Sequence, residues 1–264
     1  MPAAYAHYRF GKKVYGELPE KERQVIRQAK DAFLLGLHGP DLLFYYLPIC
    51  KNRINQQGRR IHHEIAADFF ERGREEYRRE PDAALRAYLY GYICHFILDS
   101  ECHPYVSYYM EEKQVGHIEI ETELDRYLRE LDGRDPLHYV PIHHLISRAH
   151  TREQISRMYK RVSPCQIAVC IHGFRRTLRF FTCENPCKAR VLKSISHGLR
   201  LERGLGGLIM NGEVNRFCQE SDLFLEERLE RGVALAAAEI RNYSRALDEN
   251  ALLSARLYRN YDGF

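Results

Sequence analysis

The stretch AYLYGYICHFIL, residues 87–98, decides the fold. It runs for twelve residues without a formal charge, so a helix built from it is apolar around most of its circumference and belongs at the centre of a bundle. Pro81 and Asp82 start that helix. Pro104 biases His103 away from helical geometry, which predicts an end at about residue 102. Yet the helix carries His95 within this run and, one turn later, just past its end, Asp99. Positions i and i+4 share a helix face, and a buried carboxylate is costly unless it is paired or bound to a cation.

Outward from this centre the apolar periodicity is helical over 19–37, 58–80, 117–131, 151–162, 163–181, 185–199 and 222–247. No two alternating runs flank a turn signal, so no hairpin is expected. The expectation is an all-α, single-domain helical bundle over 1–264 with a metal cluster in a central cleft. The glycine-rich stretch at 204–207 reads as a loop.

Composition narrows the function. The 264 residues carry 40 Lys and Arg against 36 Asp and Glu, a net charge of +4. That excess is small and dispersed, so no stable nucleic-acid partner is expected. No apolar run is long enough for a transmembrane segment. The opening MPAAYAH lacks a secretory signal pattern, which makes a cytoplasmic location the expectation. The eight cysteines then read as reduced. Cys165, Cys170, Cys183 and Cys187 lack the tight two-residue spacing of a zinc knuckle, so buried thiols are expected instead.

The histidines are more telling. His103 follows Asp99 by four residues, and His117 with Glu121 repeats the i, i+4 arrangement on the next helix. Taken singly, each is an ordinary core histidine or a surface pair. Together they place five nitrogen and oxygen donors on two adjacent helices, a donor set for zinc, with iron or manganese also accepted. Upstream, His7, Asp41 and the pair His62 and His63 add candidates. Neighbouring helical positions point about 100° apart, so only one of that pair faces the core.

The ordered series His7, Asp41, His62, His95-x3-Asp99, His103, His117-x3-Glu121 resembles the ligand series of bacterial zinc-dependent phospholipase C. The fungal zinc single-strand nucleases share the all-α fold and a similar series. The resemblance covers residues 1–125; the additional helices of 126–264 match only in being helical. It implies zinc ions in a cleft of the bundle, hydrolysing a phosphodiester of a phospholipid or smaller phosphoester through water activated by the metals. Asp41, His62, His95 and Asp99 would hold one zinc, and His103, His117 and Glu121 a second. Asp99 would bridge to a third, completed by His7 and the N-terminal residue. The family's exported enzymes supply a Trp amine there, but this chain has no Trp. Removal of Met1 would leave the amine of Pro2 in that role, so two or three ions are expected.

The same pattern favours His62 over His63 and gives Asp41 a catalytic part, orienting the attacking water as general base. Glu64, Glu119 and Asp125 are candidates for orienting the imidazoles by their place in sequence, although solvated helix faces are the plainer expectation for them. Solvated positions are expected too for Arg59 and Arg60, which otherwise would steer a phosphate. The contrasting reading is a non-catalytic helical protein with a structural or vestigial metal site. A His-Asp phosphohydrolase is excluded, since no His-Asp dipeptide occurs.

Overall fold

In the computed structural model, residues 3–198, 206–210, 212–249 and 251–264 are described. They form eleven α-helices and no named strand; one isolated parallel bridge joins Thr182 to Met210. In chain order the helices are α1 (Ala4–Glu17), α2 (Glu20–Gln28), α3 (Lys30–Gly36), α4 (Arg53–His63), α5 (Ala66–Arg79) and α6 (Ala83–Lys113). Then follow α7 (His117–Leu131), α8 (Ala149–Arg157), α9 (Pro164–Phe181), α10 (Pro186–Gly198) and α11 (Gln219–Glu249). Short 3-10 turns occupy Gly39–Tyr45, Gly206–Leu208 and Ala255–Tyr258. No helix among the described residues is long and apolar enough to cross a membrane.

The centre is α6, as its apolar run requires: every residue from Ala84 to Ser100 is buried. Asp82 caps it, accepting from the N–H groups of Ala84 (2.7 Å) and Leu85 (3.2 Å). Around it pack α1, α2, α3, α5, α7, α8 and α11. The long α11 is tied on by the buried Arg86, which donates through Nη1 to Asp248 Oδ1 and through Nη2 to Asp248 Oδ2, both at 2.8 Å. The tightest crossing is with α3. A Cβ on Gly36 would stand 2.2 Å from the Tyr88 carbonyl oxygen, and one on Gly91 would stand 2.1 Å from that of Phe33. Two glycines let these backbones meet, and the chain leaving α3 is delivered against His95.

The helix boundaries depart from the sequence expectation in four places. Pro104 does not end α6, which continues to Lys113 and stops at Gln114 in left-handed conformation (φ 56°). Beyond the proline, Val106 and Tyr109 are buried and Tyr105 stacks on Phe224 (3.9 Å between centroids). That burial offsets a break of about 3 kcal/mol. The 19–37 run splits at Ala29 because its halves bury different faces: α2 hides only Glu22 and Ile26, whereas α3 hides everything from Asp31 onward. The 58–80 run splits after His63, and its first part begins earlier, where Asn52 and Asn55 form a capping box. Finally, α1 has no counterpart in the sequence reading. Of the glycine-rich stretch, Gly206 and Gly207 lie in a 3-10 turn rather than a loop; Gly204 lies outside the described residues. Five cysteines are buried, and Cys50, Cys165 and Cys187 are exposed.

Candidate metal centre

Five elements converge on one buried spot. Helix α6 presents His95, Asp99 and His103 one turn apart; α1 brings His7, the 3-10 turn Asp41, α4 His62, and α7 His117 and Glu121. Seven of these eight side chains are buried, and His117 is one-third exposed. Asp99 is the hub. Its Oδ1 lies 3.3 Å from His7 Nε2, and its Oδ2 lies 3.2 Å from His95 Nε2, 3.8 Å from His62 Nε2 and 3.9 Å from His103 Nε2. On one side, Asp41 Oδ1 sits 2.9 Å from His62 Nε2. On the other, Glu121 Oε1 is 3.0 Å from His117 Nε2 and 3.8 Å from His103 Nε2.

Three groups of donor atoms converge closely enough to share an ion: His7, His95 and Asp99; Asp41, His62 and His95; and His103, His117 and Glu121. Cysteine contributes to none of these groups.

The polar atoms here fit a cation. His62 donates Nδ1–H to the Gly58 carbonyl (2.9 Å), which turns Nε2 toward the Asp41 oxygen, where an ion can take the place of its proton. Asp41 Oδ1, His62 Nε2, His95 Nε2, His103 Nε2, Asp99 Oδ2 and Glu121 Oε2 are buried without a hydrogen-bond partner. Each such orphan costs about 1–3 kcal/mol. A concentration of them at one point is explained by an ion that turns lone pairs into ligands. Without an ion, charge pairing dominates. Burial pushes the Asp99 carboxyl up, but His95 and His103 outweigh it and hold it well below the carboxylate range. Burial pulls the His103 ring down, and Asp99, with Asp262 and Glu121, leaves it well above the usual imidazole range.

The remaining sequence candidates fall outside this spot. His63 is exposed, with Nδ1 3.5 Å from Asp262 Oδ2. Glu64 pairs with Arg60 on the surface (3.2 Å). Arg59 lies over the ring of Phe44 (5.3 Å to the centroid). Glu119 accepts from Asn215 Nδ2 (2.6 Å). Pro2 lies outside the described residues. Asp125 corrects the expectation of a solvated charge. It is fully buried and accepts from the backbone N–H of Tyr5 (3.0 Å) and Ala6 (2.9 Å). It therefore caps α1 from another helix and fixes the turn that carries His7. Burial lifts its carboxyl to about 6 against the pull of Arg129 and these two bonds.

Sequence reasoning also missed a second imidazole pair behind His7. His38 Nε2 and His144 Nε2 meet at 2.7 Å. Burial holds His38 well below its usual range and His144 down to about 3, so the pair is neutral, one ring donating to the other. Nothing local in the sequence links residues so far apart.

Residues 6–174 match the model of the zinc-dependent phospholipase C family. The match covers more than half of the chain and all eight converging side chains, and the chain belongs to that family. No curated protein and no solved structure matches it. Helices α10 and α11 and the segment that follows lie beyond the matched residues.

Proposed function

We propose that this member of the zinc-dependent phospholipase C family hydrolyses a phosphodiester, of a phospholipid or a smaller phosphoester, at the centre around Asp99. The observation that supports this is the set of buried, unpartnered imidazole and carboxylate atoms facing one another there. In this reading Asp41, His62, His95 and Asp99 hold one zinc ion and His103, His117 and Glu121 a second. His7 with Asp99 offers part of a third site, which Pro2 would complete. When bound, zinc supplies Lewis acidity, making water a nucleophile near neutral pH and offsetting charge on phosphoryl oxygens.

The chain's own groups do the rest. Asp41 orients the attacking water and receives its proton. Burial pushes its carboxyl up, but neighbouring positive charge, His62 and His95 included, outweighs it. Asp41 is thus ionised and ready to accept a hydrogen bond. His62 is held in one tautomer by Gly58, which keeps Nε2 available to the ion. Apolar walls from Leu98, Phe44 and Tyr261 limit bulk water. Only His117 is substantially open, so the substrate phosphate approaches past its ring.

The near-complete burial of the donors also favours a second reading, a structural metal with no open position, since structural sites are closed and catalytic ones are not. One experiment separates the two. Purified protein is loaded with zinc, its metal content per chain is measured, and hydrolysis of phosphatidylcholine and of a chromogenic phosphodiester is followed before and after chelation. Two or three zinc ions with chelator-sensitive hydrolysis are expected. Bound zinc with no hydrolysis of either diester selects the structural reading, and no zinc uptake overturns both.

A further inference from the structure

The segment that follows the last 3-10 turn reaches back to the metal centre from outside the family match. Tyr261 is fully buried, its ring 5.2 Å from that of His62 and 5.9 Å from that of His95, with its hydroxyl donating to Tyr92 Oη (3.0 Å). The next residue, Asp262, stands between two histidines: Oδ1 is 3.5 Å from His103 Nδ1, and Oδ2 is 3.5 Å from His63 Nδ1. His103 turns Nε2 toward Asp99 and Glu121, so Asp262 faces the nitrogen on the far side of the ring from the donor cluster.

The segment is built to stay there. Asn260 Oδ1 accepts from the backbone N–H of Asp262 (3.1 Å) and Phe264 (3.0 Å), and Asn260 N–H donates to the Phe264 carbonyl (2.8 Å). The N–H of Tyr261 donates to the His62 carbonyl (3.4 Å), and just upstream the Arg259 carbonyl accepts from Ala66 N–H (2.9 Å). Gly263, at φ 85°, lies against α6 at Pro104. A Cβ there would stand 2.7 Å from the Ser100 carbonyl oxygen and 2.8 Å from Pro104 Cγ. Ser100 is the residue whose carbonyl loses its helical partner to the proline. The proline and the glycine therefore pack against one another and set Asp262 beside His103.

From these contacts we infer that Asp262 is a positioning residue for the second zinc site, holding the His103 ring so that Nε2 faces the ion. Carboxylates bonded to the far nitrogen of a metal-bound imidazole fix its tautomer and orientation and raise its basicity. His62 obtains that support from its own helix, through Gly58; at His103 the carboxylate standing 3.5 Å from Nδ1 comes from a residue 159 positions later. The inference rests on the zinc reading of the centre.

Its test is zinc titration by equilibrium dialysis of the wild-type chain and of Asp262→Ala, Asp262→Glu and His63→Ala. The expected result is a roughly 10–100-fold weaker affinity for one ion in Asp262→Ala, unchanged affinity for the other, substantial recovery in Asp262→Glu, and no change in His63→Ala. Equal weakening of every ion in Asp262→Ala, as a loosened fold would give, or unchanged binding throughout, overturns the inference while leaving the zinc reading in place. A wild-type chain that binds no zinc overturns both.

Discussion

Asp99 is surrounded by four imidazoles within 3.9 Å and is almost shut off from water. Its charge is what the rest of the centre is arranged around, so replacing it isosterically is the sharpest single change. Asp99→Asn is expected to lower zinc affinity by more than the roughly 10–100-fold that loss of an outer partner costs, with at least one ion per chain gone on elemental analysis. Diester hydrolysis should fall with it, while a full complement of zinc in the variant would contradict the hub role. Five of the eight converging residues are legible in the sequence for a simple reason. His95, Asp99 and His103 on α6, and His117 with Glu121 on α7, are spaced by the helix itself, a local ruler that needs no tertiary knowledge. His7, Asp41 and His62 need the family resemblance to be ordered with them. Asp125 is legible only as a charge on the 117–131 run, because its partners Tyr5 and Ala6 lie more than a hundred residues away; Asp262 and the pair His38 and His144 have no signal, because each acts across more than a hundred residues and none belongs to a periodic run.

Elements place these residues by how closely they approach and by what they bury between them. The crossing of α3 on α6 has no room for a methyl group, so Gly91→Ala forces the helices apart, at a cost of about 1–3 kcal/mol or more. The expected outcome is a lower thermal midpoint together with weaker zinc uptake, since the chain leaving α3 carries Asp41. A variant with both unchanged would mean that the crossing does not set the site.

Where α7 meets α11 the issue is charge. Asp222 is buried with Oδ1 unpartnered, and burial, aided by Glu123 and opposed by Arg126, lifts its carboxyl to about 8. A folded value above the unfolded one, near 4, makes stability fall as pH climbs between the two. Asp222→Asn should therefore flatten the thermal midpoint between about pH 5 and 8 and raise it at pH 8, by roughly 2–4 °C for each kcal/mol recovered. An unaltered pH profile would reject that assignment. The same scale explains the error at Pro104. The bias of a residue before proline is a local preference, whereas the continuation of α6 is decided by Val106 and Tyr109 finding burial against distant parts of the chain.

For the molecule as a whole, the centre is a place where folding and metal binding are one equilibrium. Five elements from α1 to α7 meet there with their polar atoms unsatisfied, so an ion that binds only the folded chain stabilises it, by about 2.7 kcal/mol at a hundredfold excess over its Kd. The sign of the pH dependence follows from what occupies the centre without the ion. Burial pulls the rings of His62 and His103 down, but Asp41 outweighs it at His62, and Asp99, with Asp262 and Glu121, outweighs it at His103. Both rings are therefore raised, and protons do part of the cation's work. A raised folded value gives stability that is complete below the unfolded pKa, about 6.5, and is lost as pH rises through the folded one. Zinc must displace those protons, so its affinity grows over the same interval. The gap in thermal midpoint between zinc-loaded and chelated protein should consequently widen from about pH 6 to pH 8, measured by differential scanning calorimetry at fixed free zinc. A gap that is absent, or that narrows with pH, would mean that these carboxylates and imidazoles are satisfied by one another and that the bundle is held by its apolar centre on α6 alone.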